Sequence, residues 1–315
     1  MSEYHNPVLF KESIEGLAVK PAGVYADATF GGGGHSRGIL EALSGAAKPS
    51  ATTDSPSEGP VGKLLAFDQD ADALLNAPDD ARLIPIHANF RFIHNFSLLH
   101  APEGLDGVIA DLGVSSHQFD TPDRGFSFRF SAPLDMRMNV QGDRTAADIA
   151  NSYTQEELER MLRLYGEVDS PRRIAQLIVA YRSKKAILTT DDLDDAVRPA
   201  LPDYLEHKVL ARIYQAFRIE VNSEMRALEK FLSGAAASLK KGGRLVVITY
   251  HSLEDRMVKN FIRSGNISGE ICTDIYGRSS APLKAVNRKP ILPSEDEIAS
   301  NTRARSAKLR IAERI

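Results

Sequence analysis

Apolar positions along this chain follow two spacings. Continuous or nearly continuous apolar runs occur at Val24–Ala26, Leu64–Phe67, Leu105–Ala110 and Arg244–Thr249, and the segments between them carry apolar residues three and four apart. A strand without polar alternation needs cover on both faces. The pattern therefore predicts an α/β fold, a parallel sheet with helices packed on each side. Ser306–Glu313 alternates polar and apolar instead, which predicts a half-exposed edge strand.

From about residue 138 to about residue 208 the pattern changes to short helices with clear start and stop signals. Thr154-Gln155-Glu156-Glu157 reads as a capping box, followed by Leu158, Met161, Leu162 and Tyr165 at helical spacing and by Gly166 as a stop. Ser170-Pro171 opens a second helix with Ile174, Leu177, Ile178 and Tyr181 on one face, and a third begins near Thr190 with Leu193 and Val197. A small helical domain, residues 138–208, is thus expected inside an α/β domain made of residues 1–137 and 209–315.

The junction between the first strand and its helix carries the chemistry. Ala26-Asp27-Ala28-Thr29-Phe30 leads into Gly31-Gly32-Gly33-Gly34-His35-Ser36. Four consecutive glycines persist where the backbone needs φ > 0 or where a ligand touches the main chain. Strand, glycine turn and helix form the mononucleotide-binding half of a doubly wound fold. No Gly-Lys-Ser/Thr follows, so a phosphate loop fits poorly, and Ser36 stands where the dinucleotide fingerprint wants glycine or alanine. Asp27 would repel a phosphate and suit a cation such as the sulfonium and α-amino group of S-adenosylmethionine.

Asp68 ends the second apolar run, where a carboxylate accepts ribose hydroxyls. It lies 37 residues after Gly31, against the roughly 20 usual for this fold. Residues 44–62, SGAAKPSATTDSPSEGPVG, account for the excess, since removing those 19 leaves 18. They are expected to be a disordered surface insertion, tolerated because closure entropy grows only logarithmically with loop length.

Composition narrows the classes. With 315 residues and 43% hydrophobic content the chain can bury one large domain and an insertion. One cysteine, Cys272, excludes a disulfide framework and a cysteine-rich zinc site, and His5, His87, His94, His100 and His207 lack metal-ligand spacing, so no metal is expected. There is no leader-like N-terminus and no apolar window near the ~18 residues of a membrane span, so a cytoplasmic protein without membrane contact is expected. A net charge of −3 argues against a uniformly basic coat. Residues 276–315, however, carry nine Lys/Arg against four Asp/Glu, a local +5 that fits a phosphate-rich substrate.

Two polar clusters follow strand-like runs, where such sheets place their active sites. The first is Asp111–Asp120, with Arg124–Phe128 and Leu134–Met138 just after it; the second is Tyr250-His251-Ser252-Leu253-Glu254-Asp255. Caps and turns account for the serines, and no Gly-x-Ser-x-Gly elbow makes one a nucleophile. Asp111 and His251 are expected to face the cleft.

Together with His5–Leu9, Tyr165-Gly166-Glu167, Arg212–Arg218 and Arg303–Arg310, these segments form an ordered series from residue 5 to about residue 312. In it the chain resembles the bacterial ribosomal RNA small subunit methyltransferase H family. The resemblance implies a class I, Rossmann-like S-adenosylmethionine-dependent methyltransferase sheet with an inserted helical substrate domain. It implies methylation of the exocyclic N4 amine of a cytidine in the decoding region of 16S ribosomal RNA. The partner would be small-subunit RNA or the 30S particle, with oligomeric state left open. S-adenosyl-L-methionine contacts carry over to Gly33, Gly34, His35, Asp68, Phe90, Asp111 and Gln118. The chain departs from the family at residues 44–62, Phe119, Asn139 and Thr302, none of them a cofactor position.

For that reaction Asp111 and the Leu112 carbonyl are the first candidates to accept from the amine hydrogens, and His251 the second. Phe126, Phe128 and Tyr250 are candidates to stack on the extruded base. Two other classes share parts of the pattern. A nicotinamide-dependent dehydrogenase would use the same glycine turn and Asp68, and a non-catalytic RNA-binding assembly factor would need neither. Cofactor binding separates the three.

Overall fold

The computed structural model describes residues 7–44, 62–114, 121–273 and 280–315. The chain divides into two compact units, Met1–Gly113 with Arg226–Ile315, and Val114–Met225.

The first unit is built on seven strands: β1 (Val24–Asp27), β2 (Lys63–Asp68), β3 (Leu83–His87), β4 (Leu105–Asp111), β5 (Leu239–Thr249), β6 (Leu283–Ala285) and β7 (Lys308–Arg314). Their order in the sheet is β3-β2-β1-β4-β5-β7-β6. β1 to β5 run parallel, and β7 is antiparallel to both its neighbours, β5 and β6. Tyr25, Leu64, Leu65, Phe67, Leu105 and Ile109 are fully buried, as a sheet covered on both faces requires. From β1 the chain proceeds outward through β2 and β3, then returns to place β4 on the other side of β1. That reversal puts the ligand crevice of such a sheet beyond the carboxyl ends of β1 and β4.

Two strands differ from expectation. Ser306–Glu313 is not an edge: β6 pairs outside it through Leu283↔Arg314, Lys284↔Glu313 and Ala285↔Ala312. Its alternation arises because Leu309 and Ile311 enter the core while Lys308 and Arg310 reach Asp255, at 3.6 and 2.7 Å. β3 contains Pro85, which argues against a strand inside a sheet; it is the edge, where a missing amide is tolerated. The expected insertion at 44–62 falls almost wholly outside the described residues. Of its ends, Ser44 closes helix Gly34–Ser44, and a Cβ on Gly62 would lie 2.6 Å from Leu43 and 2.8 Å from the Pro21 carbonyl.

The second unit packs helices Ala146–Ser152, Gln155–Met161, Pro171–Arg182, Thr190–Val197 and Glu206–Asn222 around Ile149, Leu158, Ile174, Ile178, Ile213 and Phe217. It is wider than residues 138–208. Phe126, Leu134, Met136 and Met138 lie in the same core on one side of that range, and Leu210, Ile213 and Phe217 on the other. Asn222 fastens the two flanks, donating to the Met136 carbonyl at 2.8 Å and accepting from the Met138 amide at 2.8 Å. The capping box at Thr154–Glu157 forms, as do others at Thr145–Asp148 and Thr189–Asp192. The helical run ends at Gly166, as expected, but the left-handed residue that closes it is Glu167, with a φ of 48°.

Candidate active site

β1, β2 and β4 each end in an aspartate: Asp27, Asp68 and Asp111. Each carboxylate is fixed by donors from its own unit. Asp27 accepts from the Ser36 hydroxyl at 2.7 Å and the Thr29 amide at 3.1 Å. Asp68 accepts from the Gly31 amide at 2.8 Å and the Asp70 amide at 2.8 Å, tying the glycine loop to the end of β2. Asp111 accepts from the Tyr250 hydroxyl at 2.7 Å, and its own amide donates to the Thr29 hydroxyl at 2.7 Å.

The glycines meet two separate needs. Gly31 and Gly33 hold φ of 52° and 74°, the left-handed region that glycine enters without strain. At Gly34 the constraint is space, because a Cβ there would sit 2.2 Å from Pro7 Cγ. Gly34 then begins helix Gly34–Ser44, and its second residue, His35, is buried with Nε2 3.3 Å from the Val8 carbonyl.

The electrostatics of this corner are uniform in sign. Burial pushes Asp27 up to about 6, against the Ser36 and Thr29 hydrogen bonds, and the charge of Asp68 adds to the rise. Burial likewise pushes Asp111 up to about 7, opposed by the Tyr250 hydroxyl and reinforced by the charges of Asp27 and Glu254. Burial also raises Asp68. It lowers His35 to about 4, so the 3.9 Å approach of His35 Nδ1 to Asp111 Oδ2 is no ion pair at neutral pH. Three crowded acids with no cation among them in the described residues favour a positively charged ligand. Asp111, with 23% of its side chain exposed, can touch one.

Other expected residues take different places. Phe90 begins a short 3-10 turn after β3 and stands edge-on to Phe231, ring centroids 5.2 Å apart. Gln118, His5 and Arg278 lie outside the described residues. His251 caps helix Ser252–Ser264: its Nδ1 accepts from the Glu254 amide at 3.4 Å, and its Nε2 is 3.1 Å from Glu254 Oε1 but off the line of a hydrogen bond. Phe126 is buried in the core of the second unit, so it cannot stack on a base without unpacking. Phe128 packs on His207 and Tyr214. The Tyr250–Asp111 bond and the Thr29 anchor go beyond what the sequence pattern predicts. Their only sequence signal is that Tyr250 and Asp111 follow Thr249 and Ala110 at the ends of adjacent strands.

The C-terminal cations divide into two sets. Arg310 and Lys308 engage Asp255, and Arg314 donates to the Pro282 carbonyl at 2.8 Å. Lys284, Arg288, Lys289 and Arg305 are exposed.

Compared with known families, residues 2–315 match that of the MraW methylases. The chain belongs to the MraW methylase family. Two curated relatives of this MraW-family chain carry the name ribosomal RNA small subunit methyltransferase H. The protein of Flavobacterium johnsoniae is 50% identical over 313 residues, covering 99% of this chain and 98% of its own length. That of Parabacteroides distasonis is 49% identical over 313 residues, with the same coverage of each.

Proposed function

We propose that this protein methylates the exocyclic N4 amine of a cytidine in small-subunit ribosomal RNA, using S-adenosylmethionine. The observation that carries the cofactor is the donor set at the carboxyl ends of β1, β2 and β4, three carboxylates around a bare glycine turn with no phosphate-binding lysine. That set suits a ribose diol and a cationic amino-acid end, and it disfavours a pyrophosphate.

When bound, S-adenosylmethionine supplies an electrophilic methyl group on a cationic sulfur. Asp68, fixed by two amides, would accept from the ribose hydroxyls. Gly33, Gly34 and the His35 main chain admit close approach. Phe90 would be a further contact, as the family implies, and Asp27 and Asp111 would provide the negative potential for the cationic end. Gln118 carries over from the family as a further contact.

The cytosine amine is a weak nucleophile because its lone pair is delocalised into the ring. The protein's task is therefore to hold that nitrogen in line with the methyl group, a placement worth roughly 7–11 kcal/mol in favourable systems. The negative charge of Asp111 would favour the developing positive charge, with the Leu112 carbonyl as a second candidate acceptor. His251 acts as a helix cap. The proton leaves to water, for which the methylated ammonium is acidic enough.

The substrate is ribosomal RNA, free or within the 30S particle; methylation assays on each separate them. A ribosomal substrate puts the reaction in the cytoplasm. Among the described residues no helix is long and apolar enough to cross a membrane. Titration calorimetry with S-adenosylmethionine and with NAD tests the cofactor. Binding of the first alone is expected; binding of NAD alone contradicts the proposal and favours the dehydrogenase reading.

A further inference from the structure

Tyr250 is held at three points. Its hydroxyl donates to Asp111 Oδ1 at 2.7 Å, its amide donates to Glu254 Oε2 at 2.9 Å, and its ring faces Gly113 so closely that a Cβ there would lie 3.1 Å from Cδ2. Gly113 also has a φ of 124°, so the chain passes that ring in a conformation L side chains rarely adopt. Asp111 is fixed from its main chain by Thr29. One carboxylate oxygen thus has a donor, and the other has none among the described residues. The nearest ring nitrogen, His35 Nδ1, is 3.9 Å from Oδ2, beyond hydrogen-bond reach. A neutral His35 that donates from Nε2 to the Val8 carbonyl has only a lone pair at Nδ1.

We propose that Tyr250 is a positioning residue for Asp111: its hydroxyl engages Oδ1, fixes the carboxylate and turns the unengaged Oδ2 to the cationic end of the cofactor. This rests on the reading of Asp111 as a cofactor residue. The hydroxyl does a second job. The groups that bear on the Asp111 carboxyl are Asp27, Glu254, His35 and Tyr250. Asp27 and Glu254 favour a proton on it, His35 is neutral, and Tyr250 alone opposes that proton. Without the hydroxyl Asp111 should remain protonated to higher pH, and a protonated Asp111 offers no charge to the ligand.

The test is S-adenosylmethionine affinity between about pH 6 and pH 9 for the wild-type protein, Tyr250→Phe, Asp111→Asn and the double variant. Tyr250→Phe is expected to bind roughly tenfold more weakly at pH 7, the usual size for a hydrogen bond to a charged group. It should regain most of that loss at the alkaline end, with its midpoint moved up by about one unit. In the Asp111→Asn background it should cost nothing further. A Tyr250→Phe protein as tight as wild type, equally weak at every pH, or additive with Asp111→Asn overturns the proposal. If Asp111→Asn itself binds normally, the cofactor reading of Asp111 fails instead.

Discussion

At the scale of single residues, the proposed cofactor site gathers three buried acids whose charge a cationic ligand would offset. Replacing Asp68 by Ala removes a charge-assisted acceptor and also releases the Gly31 and Asp70 amides it fixes. S-adenosylmethionine affinity should fall by about 1.5–3 kcal/mol, and calorimetry showing no loss would remove Asp68 from the site. The pH dependence has a definite sign. Asp27 and Asp111 are pushed up to about 6 and about 7, so the ligand-free protein holds protons there that a cation must displace. Affinity should therefore climb as pH rises through those values and level off above them; affinity that falls over that window contradicts the assignment. Much of this is legible in the sequence: Asp68 and the glycines declare themselves by position after a strand. The capping role of His251 and the partner of Tyr250 are not, because both depend on side-chain rotation at the end of β5, which residue order does not encode.

Among the elements, one strand is misplaced and another missed by the sequence pattern, for different reasons. Alternation in β7 suggests exposure, but it reflects an apolar face in the core and a charged face paired with Asp255. Pro85 hides β3, although a proline is tolerated on an edge. The helices are easier to read, since capping boxes are local and declare themselves in four residues. Gly166 is special for a different reason than its place in the sequence suggests. It ends the helical run without being the left-handed cap, which is Glu167; a Cβ at Gly166 would lie 3.0 Å from the Arg212 carbonyl, so glycine lets helix Glu206–Asn222 approach. Gly166→Ala should destabilise the protein by about 1–3 kcal/mol, the range for overpacking against a rigid neighbour. A denaturation midpoint equal to wild type would show that the backbone yields at no cost.

For the whole molecule, a net charge of −3 has to be reconciled with an RNA substrate. The C-terminal +5 is smaller in effect than its sum, because Arg310, Lys308 and Arg314 are committed within the fold. Arg288, Lys289 and Arg305 are exposed, which leaves them available to RNA phosphates. Neutralising all three should weaken RNA binding and flatten its salt dependence by about 0.7–0.9 slope units for each phosphate that no longer meets a cation. An unaltered slope would assign RNA binding to other surfaces. The helical unit extends past its sequence-based boundary because its core draws on Phe126–Met138 and on helix Glu206–Asn222, segments whose own patterns fit either unit. The most direct test of the account is digestion and mass spectrometry of 16S ribosomal RNA after incubation of unmethylated 30S particles with the purified protein and S-adenosylmethionine carrying a labelled methyl group. The account predicts label in a single cytidine of the decoding region as N4-methylcytidine, abolished in Asp111→Asn. Label in another nucleoside, on another atom of cytosine, or nowhere would contradict it.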